Sequence, residues 1–128
     1  MAGTLTASRS RAGGAVERVE LVCVSDASGN VNAQPVGLVG TIRRVSFVPG
    51  ADDDQPSDLF DVVLNDEAGV DLLAGGGADL DNASTTTIYP LLGSGSDVPA
   101  VVAEQCEIQV SNLGNAKQVT VVIHLSQV

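Results

Sequence analysis

Residues Ser57–Pro90 read SDLFDVVLNDEAGVDLLAGGGADLDNASTTTIYP. Within Leu59–Leu64, Phe60, Val62 and Leu64 alternate with their neighbours, the period of a strand with one buried face. Asn65–Gly69 is a short connection ending in glycine, which predicts a hairpin returning through Val70–Leu73. Ala74–Asn82 then reads as a loop, where Gly75, Gly76 and Gly77 permit tight backbone. The β-branched run Ala83–Leu92 predicts a further strand. From Asp52 through Asp81 there are ten carboxylates and no basic residue. Ser57–Pro90 holds no His, no Cys and no nucleophile beside a base, so it reads as a surface for shape and contact.

The same short-strand grammar extends in both directions. Val16–Ser25 is a strand with Val19, Leu21 and Cys23 on one face. Val22 and Val24 point the other way, which predicts cover on both sides. Asp26–Asn30 is a turn in which Asp26 can bond its own loop. Pro35–Gly40 leads into Thr41–Val48, where alternation puts Arg43, Val45 and Phe47 on one face and Ile42, Arg44, Ser46 and Val48 on the other. Pro49-Gly50 stops that strand, and Ala51–Asp58 is an acidic exposed loop. Gly93–Pro99 has the composition of a flexible linker. Ala103–Ser111 alternates with Cys106, Ile108 and Val110 on one face. Asn112–Lys117 is a turn, and Val119–Leu125 alternates again. A short helical turn fits Val70–Ala74 or residues 78–84. Many short strands with frequent turn signals predict an all-β chain, a single antiparallel β-sandwich, with a jelly roll among its possible forms. Residues 1–14 read as a flexible N-terminal arm or first edge strand, and residues 15–128 as the sandwich domain.

Composition agrees. The chain has 128 residues, one domain's worth. It is 44% hydrophobic with only three aromatics, Phe47, Phe60 and Tyr89. No apolar run approaches the roughly 18 residues of a membrane span, and the N-terminus shows no secretory h-region. The expectation is a soluble, cytoplasmically made chain with no membrane partner. Charge is segregated. Residues 1–44 carry five Arg against three acids, whereas residues 45–128 carry Lys117 alone against thirteen. A net charge of −10 repels phosphate backbones, so nucleic acid is not an expected partner.

Chemistry finds little to work with. His124, the one histidine, falls on the polar face of the last strand. Cys23 and Cys106 sit in apolar strands without a CxxC and read as buried free thiols. Gly75–Gly77 is followed by no Lys-Ser/Thr, so it is no phosphate loop. Calcium is the one cofactor to weigh, with Asp52, Asp53, Asp54 and Asp58 in one loop and Asp66, Asp71, Asp79 and Asp81 nearby. The DxDxDG pattern with a closing Glu is missing, so solvated acidic loops are the expectation and no cofactor is assigned. The segment Ala2–Arg11, with Thr4, Leu5 and Thr6 before Arg9 and Arg11, could add to a neighbour's sheet. With Gly75, Gly76, Gly77, Asp79 and Asp81 it makes up the candidate contact set.

Over residues 37–125 the chain resembles small structural proteins of the tailed-phage virion. The marks are Phe47-Val48-Pro49-Gly50, Asp58–Leu64, Gly69-Val70-Asp71, the Gly75–Gly77 loop and Asn112–Lys117 before a final strand. The resemblance implies a capsid decoration, or cement, protein on the exterior of the mature head. It would bind the major capsid protein, associate with itself as a dimer or trimer, and perform no catalysis. A tail, neck or head-fibre component is the alternative within that class, and a calcium-dependent binding module is the alternative outside it.

Overall fold

The computed structural model describes residues 3–11, 14–92 and 98–127. Their regular structure is strand apart from one 3-10 turn at Asp52–Asp54. In chain order the strands are β1 (Thr4–Ser10), β2 (Val16–Val24), β3 (Val31–Pro49), β4 (Asp61–Asn65), β5 (Thr86–Ile88), β6 (Leu91–Leu92), β7 (Val98–Pro99), β8 (Val101–Ser111) and β9 (Gln118–Ser126). All pairings are antiparallel. The fold is an all-β sandwich, as the strand grammar predicts.

Strand β3 builds both layers. Its first half, Val31–Thr41, pairs with β8, and its second half, Thr41–Pro49, pairs with β9. One layer is therefore β1-β2-β9-β3-β5, and the other is β3-β8-β4. A strand that changes layers needs a corner, which a glycine and a bulge can supply. Gly40 has φ +132, and a Cβ there would lie 2.6 Å from the Ser126 carbonyl oxygen. The register then shifts between Ile42 and Arg44. This corrects the reading of Thr41–Val48 by simple alternation. The bulge absorbs one residue, so Ile42, Val45 and Phe47 are all buried while Arg43 and Arg44 are both exposed.

The core lies between the layers. Phe47 from one and Phe60 from the other are almost fully buried, among Leu21, Leu38, Ile123 and Ile108. Each phenylalanine contributes about 2–3 kcal/mol by leaving water. On β8 and β9 the predicted inner faces hold, with Cys106, Ile108, Val110, Val119, Val121, Ile123 and Leu125 all buried. Val22 and Val24 are half-buried, in line with partial cover on the outer face of β2.

The rim beyond β4 is closed by a loop. Beyond β4, Val62 N–H donates to the Gly77 carbonyl (2.7 Å), Leu72 N–H to the Leu64 carbonyl (2.7 Å) and Leu80 N–H to the Phe60 carbonyl (2.8 Å). The segment Leu72–Leu80 thus covers an edge that would otherwise invite pairing. Here the predicted hairpin needs correction: Val70–Leu73 makes only an isolated bridge, Asn65 to Asp71, before the chain turns away. The Asp71 carboxylate takes over the backbone donors that a return strand would have paired. No helix forms in Val70–Ala74 or residues 78–84.

At the opposite rim, Thr4–Ser10 pairs with β2 over its whole length, Thr4 to Val24 through Ser10 to Arg18. Of the two readings of the N-terminal segment, the ordered edge strand is the one found for these residues. Leu5 packs on the core, and Arg9 reaches across to donate to the Gly37 carbonyl of β3 while pairing with Glu17 at 3.4 Å. Residues 1–2, 12–13 and 93–97, including most of the linker read at Gly93–Pro99, lie outside the described residues.

Candidate functional site

The acidic loops have a structural use. Asp26 Oδ1 accepts from the N–H of Ser28 and Asn30 at 2.9 and 3.0 Å. Asp66 Oδ1 accepts from Ala68 and Val70, both at 2.9 Å. Asp71 accepts from Leu64 (3.3 Å), Leu73 (3.0 Å) and Gly75 (3.0 Å). Asp61 takes the Asp79 N–H (2.9 Å) and the Asn112 side-chain amide (2.7 Å), and Asp81 takes the Ala83 N–H (2.8 Å). A carboxylate satisfying nearby backbone donors is what makes aspartate a turn residue. Among the described residues no group of three or more His, Cys, Asp or Glu side chains converges as a metal site.

The residues read as a contact set fall into two separate places. Thr4, Leu5, Thr6, Arg9 and Arg11 lie on or beside β1, one margin of its layer. Gly75, Gly76, Gly77, Asp79 and Asp81 lie beside β4 and β5, at the other margin. Four strand spacings separate β1 from β5, roughly 19 Å. Gly77 is buried, and a Cβ on it would meet the Val62 carbonyl oxygen at 2.2 Å. A Cβ on Gly76 would meet Ile88 Cδ1 at 2.8 Å. These two glycines are packed inward, whereas Gly75, Asp79 and Asp81 remain exposed.

The thiols are inert at neutral pH. Burial pushes Cys23 up to about 12, and burial together with the charges of Glu104, Asp66 and Glu67 pushes Cys106 up to about 11. Both are free and buried, as the sequence predicts. His124 faces Arg44, whose Nη2 lies 3.3 Å from its Nε2. Arginine can only donate, so Nε2 accepts and Nδ1 carries the proton. That Nδ1 is buried without a hydrogen-bond partner. Burial first, then Arg44 and Arg18, hold the imidazole below its ordinary value. It faces cations, and among the described residues no carboxylate hydrogen-bonds it.

Sequence patterning missed the most exposed apolar region. Val101 is 77% exposed and Val39 60%. Val39 pairs with Ala103 across β3 and β8, and Thr41 with Val101, so Val39, Val101 and Ala103 share the outer face. The β6–β7 ladder adjoins them, with Leu91 opposite Pro99 and Leu92 opposite Val98. Ile42 N–H bonds the Ala100 carbonyl at 2.9 Å, which ties this ladder to the β3 corner. Val98 is 53% exposed and Tyr89 66%. An open groove of about 390 Å³ runs between Leu72, Leu92, Val98 and Val101. In the sequence these residues are spread from Val39 to Ala103, and only the layer change of β3 gathers them.

Scans of the chain against protein-family models, curated proteins and solved structures each return no match.

Proposed function

We propose that this chain works by protein–protein contact, as a capsid decoration protein of the kind its sequence resembles, seated on the major capsid protein at the exterior of the head. The observation that carries the reading is the apolar corner formed by Val39, Val101 and Ala103 with the adjoining β6–β7 ladder. Large side chains exposed together mark a surface meant to be covered. The corner stands on paired strands, so little order would have to be gained on docking. A stable complex needs on the order of 800 Å² from each partner, so the corner would serve as the centre of a larger footprint. The inert thiols and a histidine facing arginines favour contact over turnover. Among the described residues no helix is long and apolar enough to cross a membrane.

The test is co-sedimentation of the purified chain with expanded phage heads stripped of their decoration. Binding at saturating, lattice-defined stoichiometry, lost in Val101→Asp, is expected. Failure to bind heads, with binding to purified tails instead, would move the chain to the tail-component alternative.

A further inference from the structure

The two ends of the second half of β3 carry opposite charges that the chain leaves unpaired. At the corner, Arg18 of β2, His124 of β9 and Arg44 of β3 are register neighbours, so they form one row on the outer face of the layer. Arg43 stands beside them in the bulge. Arg18 pairs with Glu20 at 2.6 Å, but among the described residues Arg43 and Arg44 meet no carboxylate. In a chain with sixteen acids and six basic side chains, that is a placement away from available partners. The guanidinium groups of Arg43 and Arg44 stand side by side on exposed positions, and like charges so placed repel.

Just past the other end of the strand is the Asp52–Asp54 turn. All three residues are exposed, and among the described residues their carboxylates make no hydrogen bond or ion pair. This sets them apart from the loop aspartates that hold backbone donors. Lys117 reaches the turn only at the Asp53 carbonyl (2.7 Å), so the turn stays net negative. The strand separates Arg44 from Asp53 by roughly 15–20 Å at about 3.3 Å per residue. That exceeds the screening length of about 8 Å at physiological salt, so the two ends cannot neutralise each other within one molecule.

We infer that the cationic row Arg18–His124–Arg44, with Arg43, is a docking site for the Asp52–Asp54 turn of a second copy of this chain. The two surfaces differ, so the contact is head-to-tail. Repetition of it gives a ring or an open chain according to the rotation between copies. A carboxylate seated beside Arg44 and His124 would offset the arginine charges that hold the imidazole neutral and so favour the imidazolium. Around His124 the charged groups on the neighbouring strands are Arg18 and Glu20 of β2 and Arg44 of β3, with Arg43 in the bulge. Association therefore strengthens as the pH falls below about 6.5 and His124 takes up its proton, while the aspartates stay ionised. The inference does not rest on the head-binding reading, because it concerns the purified chain alone.

Sedimentation velocity tests it. Wild type should associate with rising concentration at about 0.15 M salt and dissociate at about 1 M, where the screening length shrinks to about 3 Å. Arg43→Glu/Arg44→Glu and Asp53→Lys/Asp54→Lys should each self-associate at least about tenfold more weakly. Mixing these two variants should restore association, because each reversed surface then meets its complement. The altered side chains are exposed, and the wild-type salt response needs no variant. A wild type that stays monomeric under all conditions would overturn the inference. So would variants that associate like wild type, or a mixture that fails to recover.

Discussion

The acidic stretch Asp58–Asp81 and the cationic end of the β1-β2-β9-β3-β5 layer use charge in opposite ways. In the stretch, Asp61, Asp66, Asp71 and Asp81 bond loop N–H groups, and the loops they shape cover the open side of β4. At the cationic end, Arg43 and Arg44 engage no acid among the described residues, and Arg44 lies against His124. Charge density alone would single out the first region as a site, but most of its carboxylates hold backbone N–H groups. The second region is short and was unremarkable in the sequence, yet its charge remains available.

The largest expected effect tests the scaffold side. Gly77→Ala places a methyl against the Val62 carbonyl, 2.2 Å away on rigid backbone, and opens the β4 edge. A loss of about 3 kcal/mol in urea unfolding is expected, the upper range for overpacking. Gly75→Ala meets nothing within 4 Å and carries only the strain of φ +78. It should cost about 1 kcal/mol. Equal losses would mean that the close approach at Gly77 is not what holds the edge.

Asp71→Ala comes next. It frees three backbone donors, those of Leu64, Leu73 and Gly75. A loss of about 2 kcal/mol is expected from chemical denaturation. Asp53→Ala, at a carboxylate that bonds nothing, should stay within about 0.5 kcal/mol. Similar values for both would erase the distinction between spent and unspent acids.

The smallest effect belongs to the cationic end. The folded-state pKa of His124 is held below its ordinary value of 6.5, so the unfolded chain takes up the proton first as pH falls. Its contribution to stability is complete above about 6.5 and declines as pH drops from there through the folded value. Melting temperatures followed between pH 7.5 and 5 on dilute monomer should show wild type losing stability relative to His124→Gln as the pH falls. A relative gain by wild type in acid would place a carboxylate near the imidazole.

Most strands were legible because β2, β8 and β9 alternate cleanly with one face in the core. Thr41–Val48 was not, because alternation assumes an unbroken ladder, and the bulge at Arg43 resets the phase between Ile42 and Val45. Val70–Leu73 looked like a strand because Val70 and Leu72 carry the right pattern. The competing signal was Asp71 four residues before Gly75, a side chain placed to bond the turn. The buried Gly77 and the exposed Val39–Val101 corner depend on tertiary approach, which no local pattern encodes. Asp26, by contrast, bonds Ser28 and Asn30 as its turn composition suggested.

On the proposed reading the loops are scaffold and the exposed corner makes the contact. Hydrogen–deuterium exchange of the chain, free and bound to expanded heads, tests it most directly. Binding should slow exchange across Val98–Ala103 and at Val39 and leave Ala74–Asn82 unchanged. Protection centred on Ala74–Asn82, with Val98–Ala103 unaffected, would contradict the account.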